Sequence, residues 1–267
     1  MAVNAAALRG IIKQYKSFTL GPIDLSVPAG SIVGLIGENG AGKTTLLKIL
    51  CGVNRADSGT VALLDGAPTD PAARARIGVV FEDAFFYGSF TAAQVGRSMA
   101  GVYGVRWNAE TFAGYLRRFG LDAGKKLKAY SRGMRLKLSL AAALAHDPEL
   151  LVLDEATAGL DPVVRGELMD LFLEFIQDER HSIIMSSHIT ADLEQVADSI
   201  AYLHNGQLLF HENKDELLQS YGVLHCGEDV LPSLPAGLVV FTRRGAYGCE
   251  SLVRERRTVQ ELLPEAV

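Results

Sequence analysis

The residues best suited to chemistry are those at positions 37–44, which read Gly-Glu-Asn-Gly-Ala-Gly-Lys-Thr. They match in full the pattern Gly-x4-Gly-Lys-[Ser/Thr], in which backbone N–H groups and a lysine hold phosphates and a hydroxyl can ligate Mg2+. A strand-like stretch at 31–36 precedes the pattern, and a helix-like stretch at 45–50 follows it. This is the context that the motif needs, so we expect a nucleotide phosphate site here. The predicted contacts are Gly37, Glu38, Asn39, Gly40, Ala41, Gly42, Lys43, Thr44 and Thr45.

Adjacent carboxylates, Asp154 and Glu155, follow an apolar stretch at 150–153 that predicts a buried strand. Mg2+ prefers oxygen ligands, so Asp154 is placed to hold a nucleotide-bound Mg2+, directly or through water. Glu155 lies one step further out and can polarise a water for attack on the γ-phosphate. The alternative interpretation is a solvated strand end, which the phosphate loop in the same chain makes the weaker one. A second acidic pair, Glu82-Asp83, follows the short apolar stretch 77–81.

Other side chains are ambiguous when taken alone. His188 follows the predicted strand 182–187, where an imidazole can donate a hydrogen bond to a γ-phosphate. The other five histidines show no ligand spacing. Tyr15 lies in a strand-like region at 8–29 and could stack on a base, although spacing alone favours ordinary packing.

Composition narrows the classes of function. The chain has 267 residues, 48% of them hydrophobic, which is enough for a large core with a small appendage. With 26 basic and 31 acidic residues the net charge is −5, so we expect no nucleic-acid partner. Cys51, Cys226 and Cys249 have no metal-ligand spacing and form no even-numbered disulfide set, which fits a reducing compartment. We see no signal peptide and no apolar run of about 18 residues, so a membrane role would need another chain to do the spanning.

The pattern of elements predicts an α/β fold. We expect antiparallel strands in 8–29, a hairpin turn at Asp65-Gly66, helical structure from 91 to about 118, and a helix from 136 to 145 with Ser131 as its N-cap. Pro162 suits the first turn of a helix running to about 179. Asn205-Gly206 predicts a second hairpin turn, and the texture changes after residue 222.

The order of these motifs, more than any one of them, resembles the nucleotide-binding subunit of ABC transporters across about residues 1–220. The phosphate loop, Asp154-Glu155, the turn 158–161 and His188 occur in the family's order. Residues 130–134, Tyr-Ser-Arg-Gly-Met, align with the family signature Leu-Ser-Gly-Gly-Gln.

The resemblance implies a P-loop NTPase core with an antiparallel β subdomain and an α-helical signature subdomain at about 83–145. These make up an ATPase domain at 1–221, and residues 222–267 form a small C-terminal α/β extension. ATP and Mg2+ are the implied cofactors, with Glu155 as catalytic base and His188 as switch histidine. The resemblance also implies that Tyr15 is the aromatic residue that stacks on adenine, whereas spacing alone favours ordinary packing. The remaining implied contacts to ATP are Ser131, Gly133 and Asp161, and the implied metal ligands are Thr44, Glu82 and Asp154.

This sequence departs from the family pattern at two places. Arg132 and Met134 stand where the signature has Gly and Gln, and this Ser-Arg-Gly-Met form is similar to ABC-2-type exporters, including bacitracin-resistance-like and Gram-positive peptide exporters. Glu82 stands where the family usually has Gln. A carboxylate can still ligate Mg2+, but it adds negative charge beside phosphates, so we expect weaker ATP binding or slower turnover.

The implied partners are a separately encoded transmembrane permease and a second ATPase subunit, either a copy of this chain or a related one. Two ATP molecules would be sandwiched in a head-to-tail dimer at the cytoplasmic face of the membrane, and their hydrolysis would power export of a peptide or an antimicrobial amphiphile. The alternatives are a soluble ABC-type ATPase that is not coupled to transport, and a weakly hydrolysing regulatory module.

Overall fold

The computed structural model of the chain describes residues 4–82, 86–227, 229–235, 237–245 and 248–263. None of the helices in these ranges is long and apolar enough to cross a membrane.

An antiparallel sheet opens the fold. Its strands, in the order β2-β1-β4, are β1 (Asn4–Gln14), β2 (Thr19–Pro28) and β4 (Ser58–Leu63). The inward side chains of β1 and β2, among them Leu8, Ile11 and Leu25, are fully buried. The predicted antiparallel strands are thus present. The turn at Asp65-Gly66 is also present. It does not connect two strands of a hairpin, because the pairing across it is an isolated bridge between Leu63 and Gly66.

A second, larger sheet carries the core. Its strands, in the order β5-β6-β7-β3-β8-β9, are β3 (Ile32–Ile36), β5 (Ile77–Val80), β6 (Leu150–Asp154), β7 (Ser182–Ser187), β8 (Ser199–His204) and β9 (Gln207–Asn213). All neighbouring pairs are parallel except β8 and β9, which are joined through Asn205-Gly206. Every residue of β6 and β7 is buried, as expected for parallel strands covered by helices on both faces. The carboxyl ends of β3, β5, β6 and β7 therefore meet at one edge.

Helices cover this sheet and form a separate cluster beside it. They are α1 (Lys43–Leu50), α2 (Pro71–Arg74), α3 (Ala92–Tyr103), α4 (Ala109–Arg118), α5 (Arg132–Leu144), α6 (Pro162–Phe175), α7 (Thr190–Val196) and α8 (Lys214–Ser220). The helical stretch predicted from 91 to 118 is broken after Tyr103, because the Asn108 side chain caps a new helix by accepting from the N–H groups of Glu110 and Thr111. The helix predicted to run to 179 ends at Phe175. Helices α3, α4 and α5 share a buried apolar cluster of their own.

The last part of the described chain forms a small α/β unit. It contains β10 (Gly222–Cys226), β11 (Val239–Gly245), β12 (Gly248–Val253) and α9 (Arg256–Leu262), with the strands in the antiparallel order β10-β12-β11. It touches the larger sheet where the rings of Phe241 and His204 lie 4.7 Å apart. The guanidinium of Arg254 lies 5.8 Å above the Tyr221 ring and 3.9 Å from Glu212. The boundary at residue 221 stays a prediction.

The register of this sheet brings together cysteines that the sequence analysis treated as unrelated. Cys226 on β10 lies directly opposite Cys249 on β12, with the Sγ atoms 3.7 Å apart. Both thiols are free. Residues directly opposite each other in an antiparallel pair have the Cα separation that a disulfide needs, so only small side-chain rotations separate these thiols from a bond.

We expect diamide to convert Cys226 and Cys249 into an intramolecular disulfide, with diamide accepting the two hydrogen atoms lost by the thiols. Burial raises the pKa of Cys226 to about 11, so the reactive thiolate is scarce at neutral pH and oxidation should accelerate as the pH rises toward that value. Mass spectrometry of the unreduced protein, digested and mapped, measures the bond. A Cys51→Ser control should form it equally well, whereas a peptide map showing bonds only between separate molecules would contradict the prediction.

Candidate functional site

The carboxyl edge of the larger sheet collects most of the predicted site. The phosphate loop follows β3 and leads into α1, while Asp154 ends β6 and Glu155 follows it. Glu82 comes shortly after β5, and His188 comes directly after β7. In open α/β sheets, ligands bind at this edge. The edge thus brings together residues up to about 150 positions apart in the sequence.

The phosphate loop has the backbone shape of an anion cradle. Gly42, the residue before α1, has φ 108°, and a Cβ added to it would lie 2.8 Å from Leu20 Cδ1 and 3.0 Å from the Phe18 ring. Only glycine fits this position without a shift of its neighbours. No side chain caps α1, and the first N–H groups of a helix have no partner inside it. These N–H groups, at the positive end of the helix dipole, are available to an anion.

The Lys43 ammonium is held at the loop by oxygen atoms. Lys43 Nζ donates to the carbonyl of Gly37 at 2.7 Å and to that of Glu38 at 3.2 Å. It also lies 3.1 Å from Glu155 Oε1, and the two side chains are 6% and 10% exposed. This nearly buried charge is therefore paired and oriented before any ligand arrives, and phosphate oxygens would compete for it with these partners.

Ser186, which the sequence analysis overlooked, fixes both carboxylates that follow β6. Its hydroxyl donates to Asp154 Oδ1 at 2.7 Å and accepts the N–H of Glu155 at 3.0 Å. The register between β6 and β7 makes this possible, since Asp154 lies directly beside Ser186. Glu155 has φ 50°, a strained conformation for a residue with a side chain. Such strain is typical of functional sites, and the Ser186 hydrogen bond helps to maintain it here.

Glu155 has one oxygen bound to His188 and one without a hydrogen bond. His188 Nδ1 lies 2.7 Å from Glu155 Oε2. Glu155 Oε1 is buried and has no hydrogen-bond partner among the described residues, although the Lys43 ammonium is close to it. A carboxylate oxygen in this state can accept a proton from a water placed beside it, while His188 orients the group.

A cavity of about 290 Å³ opens in front of the loop. Residues 38–40 and 42–45 line it, together with Tyr15, Phe18, Glu82 and Glu155. Tyr15 and Phe18 face it with ring centroids 6.4 Å apart, and Tyr15 is 45% exposed. Phe18 was not predicted as a site residue. The one signal for it in the sequence is that it is a second aromatic residue close to Tyr15. An exposed tyrosine and a half-buried phenylalanine beside an anion cradle suit a planar, phosphorylated ligand.

Several predicted contacts do not line this cavity. Gly37 and the buried Ala41 and Asp154 lie behind its surface. Ser131 and Asp161 are N-caps of α5 and α6, where they accept the N–H groups of Met134 at 3.2 Å and Val164 at 3.0 Å. Gly133 also lies outside the lining. Asp83, the expected neighbour of Glu82 in the acidic pair, falls outside the described residues.

The predicted metal ligands fit Mg2+ by the chemistry of their donor atoms. The Thr44 hydroxyl and the Glu82 and Asp154 carboxylates are hard oxygen donors. No cluster of three or more His, Cys, Asp or Glu side chains that could hold a metal by itself occurs in the described ranges. This donor set therefore suits a Mg2+ ion that also takes phosphate oxygens and water, which is the usual arrangement with nucleotides.

Comparison with known proteins shows which family this chain resembles. The sequence profile described as ABC transporter matches residues 20–158. The chain is 36% identical to the uncharacterized ABC transporter ATP-binding protein sll0415 of Synechocystis, a match over 78% of this chain and 60% of that protein. It is 32% identical to the lantibiotic transport ATP-binding protein SrtF of Streptococcus pyogenes, over 78% of this chain and 90% of SrtF.

A solved structure of an ATP-binding subunit of an ABC transporter superposes with a TM-score of 0.71 at 26% identity, over 80% of this chain and 92% of that one. This likeness confirms the expected fold class. The matched part spans less than two thirds of the Synechocystis relative, so the activity and partners of the whole protein are proposals. The family itself is shown by the profile match, by SrtF and by the shared fold: the chain belongs to the ABC transporter ATP-binding proteins.

Proposed function

We propose that this chain is the ATP-binding and ATP-hydrolysing subunit of an ABC-type membrane exporter. The observation that carries the proposal is the arrangement at one sheet edge, where Lys43 lies in the phosphate loop and Glu155 lies 3.1 Å from its ammonium and 2.7 Å from His188. This edge places an anion cradle next to an oriented carboxylate, which is the pair of groups that hydrolysis of a phosphoanhydride requires.

In this proposal ATP occupies the cavity with its adenine on Tyr15 and its phosphates on residues 37–45. Lys43 leaves the carbonyls of Gly37 and Glu38 to contact the β- and γ-phosphates. Thr44, Asp154 and Glu82 would hold Mg2+, directly or through water, and Mg2+ would neutralise charge that develops on the phosphates. The Ser186 hydrogen bond supports this role by holding Asp154 in place.

Glu155 acts as the general base. Its oxygen Oε1, which lies 3.1 Å from the Lys43 ammonium before the nucleotide binds, takes the proton of the attacking water. His188 donates to the γ-phosphate once it turns from Oε2. The Glu155–His188 contact at 2.7 Å supports this assignment because it orients the carboxylate before the nucleotide arrives. General-base catalysis contributes about 10²- to 10⁴-fold to rate, so most of the turnover should depend on this side chain.

The second half of each ATP site comes from another copy of this chain. Ser131, Gly133 and Asp161 are not among the residues that line the cavity of their own chain, which supports a role across an interface. We propose a head-to-tail homodimer in which each nucleotide lies between residues 37–45 of one subunit and the start of α5 of the other. ATP closes this dimer and hydrolysis reopens it.

The membrane partner would be a separately encoded permease that contacts the cluster of α3, α4 and α5 from the membrane side. In this proposal the chain works as a peripheral subunit on the cytoplasmic face, bound to that permease. The similarity to SrtF, whose name refers to lantibiotic transport, and the Ser-Arg-Gly-Met sequence at 131–134 favour a peptide or an antimicrobial amphiphile as cargo.

Replacing Tyr15 with Ala should raise the Kd for ATP about tenfold, because base–aromatic stacking is worth about 1–3 kcal/mol. The rate constant kcat should change little, since in this proposal Tyr15 contacts the base and Glu155 acts at the γ-phosphate. Steady-state ATPase kinetics separate these effects. Tyr15→Phe is the matched control and should bind ATP like the wild type. Equal ATP affinity in the Ala and Phe variants would show that Tyr15 does not stack on the base.

Affinity purification from the source cell, combined with an ATPase assay, tests the function as a whole. We expect the tagged chain to bring down a multi-spanning membrane protein encoded beside it and to hydrolyse ATP. Recovery of a ribosome or another soluble assembly, with no membrane protein, would favour the soluble ATPase instead. A chain that binds ATP but turns it over no faster than Glu155→Gln would be a regulatory module.

A further inference from the structure

A salt bridge joins two of the residues at which this sequence departs from the pattern of the family that it resembles. Arg132 Nη2 lies 2.8 Å from Glu82 Oε1, and the side chains are 51% and 46% exposed. Exposed ion pairs contribute little to stability, so the importance of this one lies in its position. Glu82 lines the nucleotide cavity, whereas Arg132 is the first residue of α5 and follows Ser131 directly.

The guanidinium of Arg132 also lies over the turn that precedes α6. A Cβ added to Gly159 would lie 3.3 Å from Arg132 Nη1, and Gly159 has φ +69°. A side chain here would be strained and would crowd the guanidinium. Arg132 therefore contacts the segment after β5 and the turn before Asp161 at once.

These segments surround a water-sized space of about 20 Å³, whose lining includes Glu82, Arg132 and Glu155. The other residues of the lining are apolar: Phe81, Leu136, Ala156, Ala158 and Leu160. The proposed base, the acidic residue after β5 and the first residue of α5 thus border one small space, so a change in one of them alters the surroundings of the others.

The charges explain why the pairing matters. Glu82 lines a cavity whose proposed ligand is a polyphosphate, and juxtaposed like charges oppose binding. Within the part of the chain that the structure describes, Arg132 is the cation at salt-bridge distance from Glu82. Its positive charge offsets the carboxylate that replaces the family's neutral Gln. The departures at 82 and 132 are therefore complementary in charge.

We propose that Arg132 is a positioning residue that neutralises Glu82 and ties it to the start of α5. Nucleotide binding in one chain's cavity is thereby coupled to Ser131 and Gly133, the residues offered to the second chain. This inference rests on the proposed function. It predicts that the effect of replacing Arg132 depends on whether residue 82 carries a charge.

A double-mutant cycle tests this dependence through the Kd for a non-hydrolysable ATP analogue with Mg2+. Arg132→Gln should weaken binding about tenfold in the wild-type background. In the Glu82→Gln background the same change should alter Kd by less than about twofold. Arg132→Lys, which keeps the charge, should retain most of the affinity. Lys137→Gln, which changes another cation of α5 and breaks its pair with Glu167 on α6, is the control and should leave binding unchanged.

Equal effects of Arg132→Gln in both backgrounds would overturn the coupling, because Arg132 would then act on the helix start or on the partner's nucleotide without Glu82. The proposed function would survive that result. A wild-type chain that does not bind the analogue would instead overturn the proposed function and this inference with it. Thermal melting of each variant confirms that the binding changes occur in folded protein.

Discussion

Glu155→Gln should reduce the rate of ATP hydrolysis by at least about 100-fold while leaving ATP affinity close to that of the wild type. Gln keeps the shape of the side chain but cannot accept a proton from water. Because Glu155 touches Lys43 and His188 rather than the aromatic pair, the adenine side of the cavity is undisturbed. Phosphate release measures the turnover, and equilibrium binding measures the affinity.

Glu167→Gln is the matched control for this prediction. Glu167 is 53% exposed and pairs with Lys137 at 2.6 Å on the surface, so the same chemical change there should leave turnover unaffected. If Glu155→Gln hydrolysed ATP at the wild-type rate, Glu155 would not be the base, and the strained backbone and the His188 contact would need another explanation.

Lys43→Met should weaken ATP binding about 10- to 100-fold and abolish measurable hydrolysis, because in the proposed site the lysine would make charge-assisted hydrogen bonds to phosphate worth about 1.5–3 kcal/mol. The variant should also melt at a lower temperature. Removing the ammonium leaves Glu155, whose side chain is 10% exposed, without its cationic neighbour, and an unpaired buried charge is costly.

Lys48→Met separates the role of the site from a general loss of charge on α1. Lys48 belongs to the same helix, but its ammonium lies 5.6 Å over the Phe81 ring and outside the cavity lining. We expect nearly normal ATP binding in this variant. Calorimetric titration with Mg2+-ATP compares the proteins, and tight binding by Lys43→Met would contradict a phosphate-contacting role.

The local parts of this site could be predicted from sequence because each is a short stretch with its own pattern. The phosphate loop has its glycines, lysine and threonine within residues 37–44. Asp154 and Glu155 follow an apolar stretch that predicts a buried strand. Their meeting could also be expected, since parallel strands place their carboxyl ends at one edge. The capping role of Ser131 was predicted correctly for the same reason, because a helix N-cap is a local signal.

Contacts between distant segments could not be predicted, because they depend on register and on side-chain direction. Ser186 supports both Asp154 and Glu155 only because β6 and β7 pair with that residue beside Asp154. Arg132 and Glu82 are 50 positions apart, and no periodic pattern links them. Cys226 and Cys249 lie opposite each other because of the register between β10 and β12, which the sequence does not reveal either.

In the proposed function two copies of this chain share each ATP, and sedimentation of Glu155→Gln with saturating Mg2+-ATP measures whether they do. We predict a dimer with ATP and a monomer with ADP or without nucleotide. Adding Ser131→Glu should prevent the dimer while the single chain still binds ATP, because the added carboxylate would repel the partner's phosphates. A Glu155→Gln protein that is saturated with ATP and sediments only as a monomer would contradict the proposal that two copies share each ATP.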